Sequence, residues 1–146
     1  MKLIFDIPEI DRKETKEAVE KALSNYKWYL LATPEEELPR MTASYSLTPP
    51  SNTNAFHSST EEAAIKNAHF DIERKKYIDK FVRAFNRLSA IERQVINKRY
   101  LEEDEIFDYL VFNELGLGET KYYEVKGRAI YKLAFALRLD VMKPYQ

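Results

Sequence analysis

Apolar side chains recur at helical spacing through most of this chain. Val19, Ala22, Leu23, Tyr26, Leu30 and Leu31 follow one another at three- and four-residue intervals, which predicts an amphipathic helix. Asp11 is placed to cap that helix before Arg12, and Thr33-Pro34 ends it, because proline disfavours helical geometry in the residue before it. A second apolar series, Ala64, Ala68, Ile72, Ile78, Phe81, Val82, Phe85 and Leu88, predicts a long helix. It opens on the capping box Ser59-Thr60-Glu61-Glu62 and runs to about Leu88. A second capping box, Ser89-Ala90-Ile91-Glu92, starts a new helix that ends near Tyr100. Leu101 to Glu105 is an acidic turn, and Ile106 to Leu115 a further helix with Gly116 as its C-terminal stop. Gly118 takes the N-cap of a last helix from about Glu119 to Leu139.

Residues 34–58 break the pattern. Pro34, Pro39, Pro49 and Pro50 lie among Ser, Thr and Asn without a helical period, as in a linker or extended arm. Tyr45 and Leu47 alternate with polar residues, as in a short strand that could not form a sheet alone. The expected fold class is therefore all-α. It comprises an N-terminal helical arm (1–33, opening with a short apolar stretch), a linker (34–58) and a helical domain (59–146).

Two helices joined by a short Gly-containing turn, the second rich in cations, form the sequence pattern of a helix-turn-helix, here at about 105–138. In the last helix Tyr122, Val125, Ala129, Ile130, Leu133 and Leu137 fall at core-facing intervals. The opposite face carries Thr120, Tyr123, Glu124, Gly127, Arg128 and Tyr131, with Lys121, Lys126 and Lys132 flanking it. Glycine inside a helix costs roughly 1 kcal/mol relative to alanine, so Gly127 marks a close approach to a DNA backbone, close packing or neutral drift. Glu102, Glu103, Asp104, Glu105 and Asp108 would be repelled by phosphates and are expected to point away from DNA, toward a protein partner.

Composition narrows the alternatives. The chain has 146 residues, 45% of them hydrophobic, and a net charge of −1. Any DNA contact must then rest on local charge rather than whole-chain attraction. Three glycines argue against an all-β protein, and the absence of cysteine excludes disulfides and thiolate chemistry. The start of the chain lacks the apolar region of a signal peptide, and no run of about 18 apolar residues is present. A cytoplasmic protein with no membrane segment is expected. His57 and His69 have no metal-ligand spacing, Ser58, Ser59 and Thr60 read as caps, and no phosphate-cradling glycine loop occurs. The chain therefore reads as a non-enzyme without cofactor or metal.

Longer stretches carry a family likeness. They include Pro8-Glu9-Ile10-Asp11, Thr42 to Pro50, Asn86-Arg87-Leu88-Ser89 with Glu92-Arg93, and Arg99-Tyr100-Leu101. The most specific are Phe107-Asp108-Tyr109, Asn113 to Gly116, Lys121-Tyr122-Tyr123 and Arg128 to Leu137. On these the chain resembles the ArpU (autolysin regulatory protein) family of late transcriptional regulators in phages and prophages of Gram-positive bacteria. The family's C-terminal half is similar to region 4 of bacterial sigma factors. The resemblance implies sequence-specific activation of phage late genes for packaging and lysis, in the host cytoplasm. It implies a phosphate contact for Arg99 and DNA-reaching positions for Glu119, Thr120, Tyr123, Glu124 and Arg128. Charge adds Lys121 and Lys132. The chain departs from the family pattern at Gly118, where serine is usual, and at Thr120 and Glu124, where arginines are usual.

Two other readings stay open. One is a helical protein that binds host RNA polymerase without reading DNA, favoured by the acidic segment. The other is a small phage packaging subunit. The aromatic patch Tyr26, Trp28, Tyr29 and Leu30 reads as core packing or as a homodimer interface.

Overall fold

The computed structural model describes residues 11–42, 44–49 and 61–139. The apolar stretch before Asp11, His57 and the Ser59 capping box lie outside them. The described residues form five α-helices: α1 (Arg12–Leu31), α2 (Glu61–Phe85), α3 (Ala90–Ile96), α4 (Asp108–Leu115) and α5 (Glu119–Leu137). A 3₁₀ turn (Glu35–Glu37) and a small hairpin, β1 (Arg40–Met41) with β2 (Leu47–Thr48), separate α1 from α2. The fold is largely α. Among the described residues no helix is long and apolar enough to cross a membrane.

Local chemistry sets the helix ends. Asp11 accepts a hydrogen bond from the Glu14 amide at 3.0 Å and so satisfies one of the first free N–H groups of α1. At α3 the reciprocal capping box is complete: the Ser89 hydroxyl accepts from the Glu92 amide, and the Glu92 carboxylate accepts from the Ser89 amide at 2.7 Å. α3 runs into a π-helical segment, Asn97–Leu101, whose last bond joins the Glu102 amide to the Asn97 carbonyl. Gly116 adopts φ 68°, a left-handed value that glycine reaches without steric cost, and this stops α4. α5 ends two residues before the expected Leu139. Arg138 turns left-handed (φ 56°), and the Leu139 amide closes on the Ala134 carbonyl at 2.7 Å.

α1, α2 and the C-terminal half of α5 share the main core. Tyr26 stacks on Phe81 with centroids 3.9 Å apart, and Tyr77 donates to the Ala22 carbonyl. A smaller cluster, Val95, Val111, Tyr122 and Val125, joins α3, α4 and the N-terminal half of α5. Burying side chains of this size stabilises by roughly 1.5–3 kcal/mol each, so both clusters are needed to hold α5 in place.

The residues read as a linker include a segment docked on this body. Leu47 enters the main core, and the Asn86 side chain bonds both its amide (2.7 Å) and its carbonyl (2.8 Å). The amide of Asn86 thus supplies the neighbour that a two-residue strand pair lacks. Arg93 adds a bond to the Ser44 carbonyl at 3.1 Å.

Three apolar assignments differ from expectation. Leu31, Ala68 and Ile72 are exposed, although all belong to apolar series in the sequence. Tyr29 meets Phe70 and Tyr77, and Arg74 reaches the Ala32 carbonyl, so α1 ends beside Arg74. The described part of α2 before Phe70 runs past that end, and most of its residues are exposed. Trp28 is likewise exposed, whereas Tyr26 is core.

Candidate nucleic-acid interface

α5 has one open side. Tyr122, Val125, Ala129, Ile130, Leu133 and Leu137 are buried, as their spacing requires. Glu119, Thr120, Lys121, Tyr123, Glu124, Arg128 and Lys132 are exposed. Thr120, Tyr123, Glu124, Gly127, Arg128 and Tyr131 follow i, i+3, i+4, i+7, i+8 and i+11, which makes one stripe along the helix. Tyr123 is 47% exposed and the Arg128 side chain 49%. A Cβ at Gly127 would meet no atom within 4 Å, so close packing inside this chain does not explain the glycine.

Lys126 departs from the expected arrangement. It was expected to flank the open side, but it is only 4% exposed and lies on the core side between Tyr122 and Ile130. Asp108 draws it there. One oxygen of Asp108 accepts from Lys126 Nζ at 2.8 Å, Tyr122 Oη at 2.5 Å and Arg99 Nε at 3.2 Å. Asp108 was expected to face outward with the acidic run, and instead it joins α4 to α5 and to the π-helical segment. Burial pushes the Asp108 carboxyl up. The hydrogen bonds from Lys126 and Tyr122 and the nearby Lys126 and Arg99 charges outweigh it and hold the group below the usual carboxylate range. Burial likewise pulls the Lys126 ammonium below its ordinary value, against the opposing pull of Asp108. Tyr122 is raised, first by burial and then by its bond to Asp108. The network reaches α1 through Tyr100, which lies under the Arg99 guanidinium (4.8 Å) and donates to Glu20 at 2.9 Å.

Arg99 therefore holds an internal ion pair through its Nε. Lys132 is also tethered, with Nζ 2.8 Å from Glu92 Oε1. Arg128 lies 3.8 Å from the other oxygen of the same carboxylate. Glu92 is 1% exposed and belongs to α3. Burial pushes its carboxyl up, but Lys132 and the Ser89 bonds win and keep it below the usual range. Neither Asp108 nor Glu92 stood out in the sequence as a centre of these contacts. The one available signal was that Tyr122 and Lys126 sit four residues apart on the core face.

Glu103, Asp104 and Glu105 are exposed. Glu102 is partly occupied: its carbonyl accepts from Lys27 and its carboxylate from Asn97. Beyond them Phe107 and Tyr109 are exposed and stack on each other, centroids 5.9 Å apart.

The chain is 35% identical to the uncharacterized phage-related protein Lin1259/Lin1739 of Listeria innocua serovar 6a, over 98% of this chain and all of that protein. It is 26% identical to Protein Gp66 of Listeria phage A118, over 95% of this chain and 97% of that one. No family model and no solved structure matches it.

Proposed function

The chain belongs to the family of phage-related proteins that includes Lin1259/Lin1739, and from that premise we propose that it is a sequence-specific DNA-binding activator of phage late genes, of the ArpU type. It acts by binding rather than by bond-making chemistry. α4, the Gly116–Gly118 turn and α5 serve as a helix-turn-helix like that of sigma factor region 4, with α5 in the major groove. Thr120, Tyr123 and Glu124 reach base edges, where a glutamate can accept from cytosine N4. Lys121 meets phosphates, and Arg128 spans a phosphate and an adjacent base edge. Arg99 and Lys132 brace the helix through Asp108 and Glu92. The observation that carries this reading is the stripe from Thr120 to Arg128, left open while the other side of α5 is packed.

Footprinting the purified protein on the late region of its own phage genome tests the proposal. A protected segment is expected. Absence of protection at about 50 mM salt, where phosphate contacts are strongest, defeats it.

Gly127→Ala supplies a second prediction. In the free protein the added methyl meets nothing, so the melting temperature should rise by the equivalent of up to about 1 kcal/mol. In the complex the same methyl intrudes where the helix comes nearest the duplex, so affinity should fall. A stabilised variant with wild-type affinity in a mobility-shift titration would remove Gly127 from the interface.

The exposed Phe107–Tyr109 stack beside Glu103, Asp104 and Glu105 favours one further reading, a contact with host RNA polymerase. Transcription activation that depends on polymerase, by a protein with no DNA affinity of its own, would put that reading first.

A further inference from the structure

We propose that Glu92 is a positioning residue for the DNA-reading face: its buried carboxylate aims Arg128 at the duplex while Lys132 keeps the carboxylate in place. This rests on the DNA-binding reading above. The two oxygens of Glu92 have unequal surroundings. Oε1 accepts from the Ser89 amide at 2.7 Å and from Lys132 Nζ at 2.8 Å. Oε2 is buried and has no hydrogen bond, and the Arg128 Nε lies 3.8 Å from it. A buried carboxylate oxygen without a donor forfeits its hydration with nothing in return, and native proteins seldom leave one unexplained. Arg128 is the group placed to complete it, because its Nε is within about 1 Å of bonding distance and its side chain, 49% exposed, is not locked in the core. Closing 3.8 Å to a hydrogen bond at about 2.8 Å would fix Nε against Oε2. The remaining N–H groups of a planar guanidinium then project away from the carboxylate, toward whatever lies along the open side of α5. Exclusion of water as the helix enters a groove strengthens this pairing.

Glu92 also limits charge on that face. The exposed ionic residues of α5's outer side are Lys121, Arg128 and Lys132 against Glu119 and Glu124, and Glu92 offsets one more cation from beneath. A face held near neutrality attracts duplex of any sequence only weakly and leaves more of the binding to base contacts.

Glu92→Gln tests this, because glutamine retains the capping-box acceptor and removes the charge. Two duplexes are titrated by mobility shift at several salt concentrations, one bearing the footprinted site and one unrelated. The ratio of the two affinities should fall about tenfold, the discrimination carried by one well-oriented side chain. Binding to the unrelated duplex should strengthen, with a salt slope steeper by about one. In an Arg128→Ala background Glu92→Gln should leave the ratio unchanged. A wild-type ratio in Glu92→Gln, or an equal fall in both backgrounds, overturns the proposal. A measurement on the wild type needs no variant: the Arg128 Nε–H signal in nitrogen-15 NMR should exchange more slowly once the site duplex is saturated, and an unchanged rate also overturns it. If the wild type shifts neither duplex, the DNA reading itself fails and takes this one with it.

Discussion

Replacing Asp108 by alanine is expected to cost about 3 kcal/mol of folding stability. The variant leaves Lys126 buried at 4% exposure with its counter-charge gone, and it removes the acceptor of the Tyr122 hydroxyl and of Arg99 at the same time. Stranding one member of a buried ion pair costs roughly 3–5 kcal/mol. The lower figure applies because the Asp108 side chain is 24% exposed and water relieves part of the loss. Against a total stability of roughly 5–15 kcal/mol, this is a large share. Urea denaturation at neutral pH measures it, and a loss under about 1 kcal/mol would show that the network is incidental to stability. The double variant Asp108→Ala, Lys126→Met should recover much of the loss, because no buried charge is then left without a partner.

The same carboxylate predicts the acid behaviour. Asp108 and Glu92 both titrate below the ordinary carboxylate range in the folded protein. Near pH 4 the unfolded chain therefore binds more protons than the native state, so stability rises with pH there. The contribution is full above about pH 4–4.5, the unfolded values, and is lost as pH falls through the lower folded values. The urea midpoint should drop through this window, and less steeply in Asp108→Ala.

The second large effect is on binding. Arg128→Ala should weaken affinity for the native site by about 10- to 100-fold, the equivalent of roughly 1–3 kcal/mol for an arginine that reads or anchors. Its salt slope should become shallower by about one, because one fewer counterion is released. Fold should be unaffected, since the Arg128 side chain is half exposed and the Glu92 carboxylate keeps Lys132. Binding with an unchanged slope and midpoint would separate Arg128 from the interface. Lys121→Ala offers the comparison: it lies on the same exposed side of α5, without a tether to Glu92, and should reduce the slope without altering sequence preference.

Local chemistry was the legible part of this chain. The caps at Asp11, Ser89, Gly116 and Gly118 appear where their sequences place them, because a cap is settled by residues three or four apart. The packed side of α5 follows directly from its 3.6-residue period. Residue type misleads where it conflicts with position. Lys126 sits on the core side by angle alone, and only its charge suggested otherwise. Periodicity also identifies an apolar face without saying how far a partner helix extends, which is why Leu31 and Ile72 are exposed. Asp108 looked like the end of an acidic run because Glu102 to Glu105 precede it, but its partners come from 9, 14 and 18 residues away. Glu92 declared its capping role in the sequence, while its tie to Lys132, 40 residues on, belongs to the tertiary fold.

α5 is anchored at unequal depth. Its later half sits in the main core with α1 and α2, and its earlier half rests on the small cluster around Val95, Val111, Tyr122 and Val125. Regions with few buried apolar contacts open at lower free energy than the whole molecule. Sub-global opening should accordingly begin at the α4 end, with the body intact. A ligand gripping that half would close the less deeply anchored end of α5, and so would tighten amide protection there well before it altered the global unfolding transition.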